Sequence, residues 1–160
     1  MDLLKSLDTP AYKIASFEIG DLPLIRYVAS TGKPMVMSAG MASEDEIEEA
    51  VTTAREAGCN DLVLLHCISS YPAPMDQANL RQKLELATRF DVLAGFLDHT
   101  MSTTVSVGSI ALGACLNEKH FILSREDERP DTEISREPAD LERLCTDTRD
   151  SKSALSHEGY

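Results

Sequence analysis

A chain of 160 residues, 42% apolar and 26% charged, has the length of one domain and enough apolar side chains to bury a real core. Its formal net charge of -12, with no basic cluster longer than a pair, argues against nucleic acid and against an anionic membrane as partners. The four cysteines, Cys59, Cys67, Cys115 and Cys145, lack C-x-x-C spacing, so neither a disulfide framework nor a thiolate metal site is indicated and a reducing cytoplasm fits.

No apolar run approaches the roughly 20 residues of a membrane span, and the acidic opening lacks the cationic flank of a signal peptide. Leu3, Leu4 and Leu7 recur at helical spacing until Pro10 ends the pattern, so the sequence opens within a helix. A short strand is expected over 12–16, with Phe17 and Glu18 just past it, then a helix over 23–30 closed by Gly32. The almost wholly apolar stretch 34–40 reads as a strand covered on both faces. In the next helix Ser43 and Glu46 form a capping box, Ile47, Ala50, Val51 and Ala54 make the buried stripe, and Gly58 stops it.

The third strand is expected over 62–67, followed by a loop stiffened by Pro72 and Pro74 and a helix over 80–89. Residues 92–99 form the fourth strand and 103–114 a helix of small residues with weak propensity. The fifth strand is expected over 116–121 and a densely charged loop over 125–135, before Pro138 opens a helix with Leu141, Leu144 and Cys145 inward. The residues from Lys152 onward give no strong signal, and His157 is expected at the surface.

Five successive βα units imply a parallel sheet. Length favours a doubly wound sheet, which five strands complete, over a (β/α)8 barrel of typically about 250 residues. Against that, no Gly-rich phosphate loop follows the first strand, and polar residues stand at the ends of all five strands, as on a barrel rim. Two strands end in His, at Asp98-His99 and at Glu118-Lys119-His120. Neighbouring strands about 4.8 Å apart can aim two imidazoles at one divalent ion such as Mn or Mg, although the residues also fit two rim histidines beside carboxylates. His66 and Cys67 read as structural.

The chain resembles the sialic acid synthase family, which condenses phosphoenolpyruvate with an amino sugar. The resemblance is carried by Tyr12-Lys13-Ile14-Ala15-Ser16-Phe17-Glu18, by Gly32-Lys33-Pro34 with Met37-Ser38-Ala39-Gly40-Met41, and by Leu65-His66-Cys67 with Tyr71-Pro72-Ala73-Pro74. Asp98-His99-Thr100, Glu118-Lys119-His120-Phe121 and Pro130-Asp131 complete it. The forms Ala15-Ser16-Phe17-Glu18 and Ser69-Ser70-Tyr71-Pro72-Ala73-Pro74 look closer to the pseudaminic acid branch than to the N-acetylneuraminate branch.

The resemblance implies a partial TIM (β/α)8 barrel, strands four to eight with their helices over residues 1–155, and the start of a linker at 156–160. It implies a fragment of a larger enzyme, homodimeric in its full-length family, whose first three strands and C-terminal domain lie outside this sequence. By resemblance, His99 and His120 bind a divalent metal, Mn or Mg. Lys13 is the cation for phosphoenolpyruvate and, with Glu18, catalytic. Ser16, Ser38, Ser69, Tyr71 and Asp131 contact phosphoenolpyruvate or the amino-sugar aldose.

Read without the resemblance, Lys13 and Glu18 are a salt bridge on the rim and the serines are caps. Leu97, where the family usually has Ser, removes one hydrogen-bond donor; Arg129 replaces a usual Gly and Ala39 a common Thr. Five strands of a barrel leave two open edges and an uncovered inner face, on which Ile14, Val36 and Leu64 are expected in or near water.

Overall fold

The computed structural model describes residues 2–127 and 129–155. Along them run α1 (Asp2–Ser6), β1 (Tyr12–Ile14), α2 (Leu22–Ala29), β2 (Met35–Ser38), α3 (Glu44–Glu56), β3 (Leu62–Cys67), α4 (Gln82–Phe90), β4 (Leu93–Asp98), α5 (Thr104–Ala111), β5 (Asn117–Lys119) and α6 (Pro138–Leu155). Two 3-10 turns, Ser16–Glu18 and Met75–Gln77, follow β1 and the loop after β3. Helix α6 continues through Lys152 to Leu155, farther than its sequence signal; His157 and the expected linker lie outside the described residues.

All five strands are parallel and lie in sequence order, β1-β2-β3-β4-β5. A doubly wound sheet reverses its strand order at a switch point. None occurs here, so the architecture is a five-stranded half-barrel. Its curl has a direct measure. Laid flat, β1 and β5 would be about 19 Å apart at the usual strand spacing. Yet Lys13 of β1 and Glu118 of β5 meet, Nζ to Oε2, at 3.0 Å. The sheet is therefore bent into a trough, with these two side chains closing across it.

Strand alternation assigns each residue to the trough or to the helices. Tyr12, Ile14, Met35, Met37, Leu62 and Leu64 face α2 and α3 and join Ile25, Val28, Ile47, Ala50, Val51 and Ala54 in the main core. On the trough side Leu65, Cys67 and Leu97 pack together, flanked by Val36, Val63 and Leu116. The expectation for Ile14 and Leu64 is thus off by one residue of register: both are sealed beneath helices, 1% and 0% exposed, and only Val36 faces the trough. Gly95 belongs to the trough as well. A Cβ there would stand 2.5 Å from the Leu116 carbonyl oxygen, so a side chain would push β5 away from β4.

The signals of α3 hold in detail, whereas α5 stops at Ala111 and on α6 only Leu144 of the three expected inward residues is buried. Ser43 Oγ accepts from Glu46 N at 3.4 Å, and Glu46 Oε2 accepts from Ser43 N at 2.8 Å, which satisfies two of the amides left over at the start of α3. Because the main core is complete beneath its helices, the chain should unfold in one cooperative urea transition. Ser43→Ala should lower its stability by about 1 kcal/mol, read from the midpoint at unchanged slope. A broad, non-cooperative loss of structure, or an unshifted midpoint, would contradict that reading of the core and the cap.

Candidate active site

The C-terminal ends of β4 and β5 set the site. Asp98 and Lys119 are partners in the parallel register and both turn toward the helices. There Asp98 Oδ2 lies 2.8 Å from Lys119 Nζ, with 0% and 3% of the two side chains exposed. Asp98 also accepts from Ser106 Oγ and, through Oδ1, from Thr100 N at 2.8 Å. Burial pulls the Lys119 ammonium below its ordinary range, and the bond to Asp98 acts the other way. The next residue of each strand points into the trough, and these are His99 and His120.

Their ring centroids are 5.3 Å apart. His99 is buried, and its Nδ1 lies 2.8 Å from the Ile68 carbonyl oxygen. A carbonyl only accepts, so Nδ1 carries the proton and Nε2 is left with a bare lone pair. That buried Nε2 has no hydrogen-bond partner among the described residues. Burial pushes the imidazole below its ordinary value of 6.5, which keeps it neutral. Tyr71 stacks on His99 at 4.3 Å and meets His120 nearly edge-on at 6.0 Å. Asp131 brings Oδ2 to 3.9 Å from His120 Nδ1.

A second cluster forms beside the first. Ser16 Oγ and Cys67 Sγ are 3.3 Å apart, and burial holds the Cys67 thiol above its ordinary range and therefore protonated. Gly40 makes room for this contact, since a Cβ there would lie 2.2 Å from Cys67 Sγ and 2.9 Å from Ser69 Oγ. Ser38 is fully buried, and its Oγ lacks a partner among the described residues. Lys13 and Glu18 do not pair. Lys13 is matched by Glu118, whereas Glu18 Oε2 accepts from Ala15 N at 2.8 Å and closes the turn after β1.

The residues named from sequence thus fall into three groups: Tyr71, His99, His120 and Asp131; Ser16 with Cys67 and Ser69 around Gly40; and Lys13 on the edge strand β1, paired across the trough with Glu118. Glu18 and Ser38 stand in the same rim without a described contact to the histidines. Leu97 is 7% exposed and packs on Leu65 and Cys67, so the place of the missing donor is filled by an apolar contact. His66 is structural, its Nε2 donating to the Ala78 carbonyl at 3.0 Å beside the Phe96 ring.

The whole chain, residues 1–160, matches the profile of the NeuB family. The chain belongs to the NeuB family. It is 38% identical to the pseudaminic acid synthase of Helicobacter pylori, over 99% of this chain and 46% of that protein. It is 39% identical to the N,N'-diacetyllegionaminic acid synthase of Campylobacter jejuni, over 97% of this chain and 47% of that one. The crystal structure of N-acetylneuraminic acid (sialic acid) synthetase from Leptospira borgpetersenii superposes with a TM-score of 0.93 at 34% identity, covering 99% of this chain and 55% of that chain. This NeuB-family chain therefore spans about half the length of the curated relatives it matches.

The donor set of the NeuB-family chain suits one divalent ion. Nε2 of His99 is bare, buried and fixed in its tautomer by a carbonyl behind it, the usual outer support of a metal-bound histidine. His120, its ring centroid 5.3 Å away, would supply the second nitrogen. No group of three or more His, Cys, Asp or Glu residues placed to hold a metal occurs among the described residues, so the remaining positions would fall to oxygen from water and substrate. Sequence reasoning missed Glu118 as the partner of Lys13, the Asp98–Lys119 pair and the packing role of Gly40. Alternation from His99 and His120 could have flagged Asp98 and Lys119 as facing the other side; the partner of Lys13 requires the curl.

Two histidines carry a pH signature. Burial pushes both His66 and His99 below 6.5, so near that pH the unfolded chain binds more protons than the folded one. Their contribution to stability is full above 6.5 and is lost as pH falls through 6.5 toward the lower folded values. Urea midpoints measured on either side of 6.5 should show stability rising with pH, and His66→Gln, which can still donate to Ala78, should flatten that rise. An equal slope in wild type and variant would refute the assignment.

Proposed function

We propose that this chain is part of a metal-dependent synthase that condenses phosphoenolpyruvate with an amino-sugar aldose to give a nonulosonic acid and phosphate. In this reading it supplies strands four to eight of a (β/α)8 barrel. The observation that carries it is the pair of imidazoles at the ends of adjacent strands, one of them with its Nε2 bare and buried. Membership of a family whose named relatives are synthases of pseudaminic acid, N,N'-diacetyllegionaminic acid and N-acetylneuraminate-9-phosphate supports the substrate class. The Ala15-Ser16-Phe17-Glu18 and Ser69-to-Pro74 sequences favour a pseudaminic-type product.

His99 and His120 hold Mn or Mg, which when bound supplies Lewis-acid polarisation of the sugar aldehyde. In the reaction C3 of phosphoenolpyruvate bonds to the aldehyde carbon, whose oxygen takes a proton to become a hydroxyl, water adds at C2, and phosphate leaves as the C2–O bond breaks to give the 2-keto acid. Lys13 serves the anionic substrate by exchanging Glu118 for it. That pair is about one-third exposed on both sides, so the exchange costs little. Ser16 and Ser38 donate to phosphate or carboxylate oxygens, and the Ser38 hydroxyl, without a partner among the described residues, suits that task. Ser69, Tyr71 and Asp131 line the sugar side, and Glu18 orients the water or carries a proton while its other oxygen keeps the turn closed.

A second reading is a chain that binds ligand or associates with other chains without turnover. The apolar contact of Leu97 favours it, because a lost donor typically costs about 100-fold in rate.

The test is reconstitution. The chain is mixed with the N-terminal barrel segment of a relative, Mn, phosphoenolpyruvate and an amino-sugar aldose, and phosphate release is followed. Product should form, Leu97→Ser should raise its rate by up to about 100-fold, and titration calorimetry should find one Mn site that both His99→Ala and His120→Ala abolish. Absence of product from every amino sugar tried would sink the synthase reading. Full Mn affinity in either histidine variant would end the shared site.

A further inference from the structure

Lys119 reaches past its ion pair. Besides Asp98 Oδ2, its Nζ donates to the Thr100 carbonyl at 2.8 Å and to the carbonyls of Asp98 and Ser102 at 3.4 Å each. The backbone on both sides of His99 is thus gripped by one ammonium, which itself sits one residue before His120. Arg136 reinforces the grip: its Nη2 donates to the same Thr100 carbonyl at 3.3 Å, and its backbone N to the His120 carbonyl at 2.8 Å. A buried ion pair rarely returns its desolvation cost as stability, and an apolar pair of the same volume commonly serves as well. Lys119, its side chain 3% exposed and with four oxygens of one strand end around it, therefore calls for another reason.

We propose that Lys119, held in place by Asp98, is the positioning residue of the histidine pair, fixing the backbone around His99 so that its Nε2 faces the ligand shared with His120. This rests on the reading of His99 and His120 as joint ligands of one divalent ion. Lys119 touches neither substrate nor metal; it acts through the peptide units that carry His99. The role differs from packing because it predicts a change in one imidazole while the fold remains.

The test uses the full chain and the double variant Asp98→Asn, Lys119→Met. It removes both charges together, so neither partner is left as a lone buried ion, and the Asn amide keeps an oxygen for Thr100 N while its nitrogen can donate to Ser106 Oγ. Nitrogen-15 spectroscopy of the histidine rings without metal reads the tautomer of His99, and Mn titration reads affinity. The variant should retain the wild-type far-ultraviolet spectrum, lose the single Nδ1–H tautomer of His99 and bind Mn about 10- to 100-fold more weakly.

Should the Met version fail to fold, Asp98→Asn, Lys119→Gln keeps a donor for the Thr100 carbonyl and should fall between wild type and the expected loss. A folded variant with the wild-type His99 tautomer and wild-type Mn affinity would overturn the proposal. If wild type binds no Mn, the shared-metal reading fails separately, and the tautomer alone decides the positioning role.

Discussion

On the helix side of the sheet a carboxylate and an ammonium have been taken out of water and set against each other, Asp98 of β4 opposite Lys119 of β5. The geometry of the rim follows from that register. A strand turns successive side chains to opposite faces, so once Asp98 and Lys119 are committed to the interior of the wall, His99 and His120 have to enter the trough. A slip of one residue would exchange the pairs, placing two charges in the trough and two imidazoles under α5. The ion pair is costly to break from one side, because the survivor would be a lone buried charge. It thus resists the slip that would dismantle the site.

The two faces of the sheet carry different duties. Beneath the helices lies an apolar layer from Tyr12 to Phe90 that supplies the burial needed for stability, with each aliphatic side chain worth about 1.5 to 3 kcal/mol. The trough face holds only a small patch around Leu65, Cys67 and Leu97 and is otherwise populated by groups that can act: Lys13, Glu118, His99 and His120. Along the trough, between β1, β5 and α6, an open cleft of about 550 Å³ is lined by Val36, Leu116, Leu141, Leu144 and Cys145 beside the Lys13–Glu118 pair. The same curl that joins Lys13 to Glu118 creates this cleft.

Electrostatics at the rim depend on local pairs more than on the average charge of the molecule. With a net charge of -12, the chain repels anions at long range, but at physiological ionic strength the reach of an exposed charge is only about 8 Å. Local charges therefore decide. Lys13, Lys119 and Arg136 stand in or behind the rim with Glu18, Asp98, Glu118 and Asp131, and the buried members of that set are shielded least from one another.

Much of this was legible in the sequence. The order of the βα units, the capping box of α3 with its buried stripe, the structural role of His66 and the family motifs all follow from local spacing, because a helix or strand writes its period into neighbouring residues. The tertiary structure alone decided what depends on distant partners. Lys13 finds Glu118 rather than the nearby Glu18 because the curl of the sheet carries β5 back over β1, while Glu18 is taken by the Ala15 amide. Ile14 and Leu64 lie under helices and not in the trough, since an apolar strand covered on both faces carries no sign of which face is which. The bare Nε2 of His99 exists because the Ile68 carbonyl, 31 residues away in sequence, takes the proton of the other ring nitrogen. A residue's period is set by its neighbours, but its partner is set by where the chain returns.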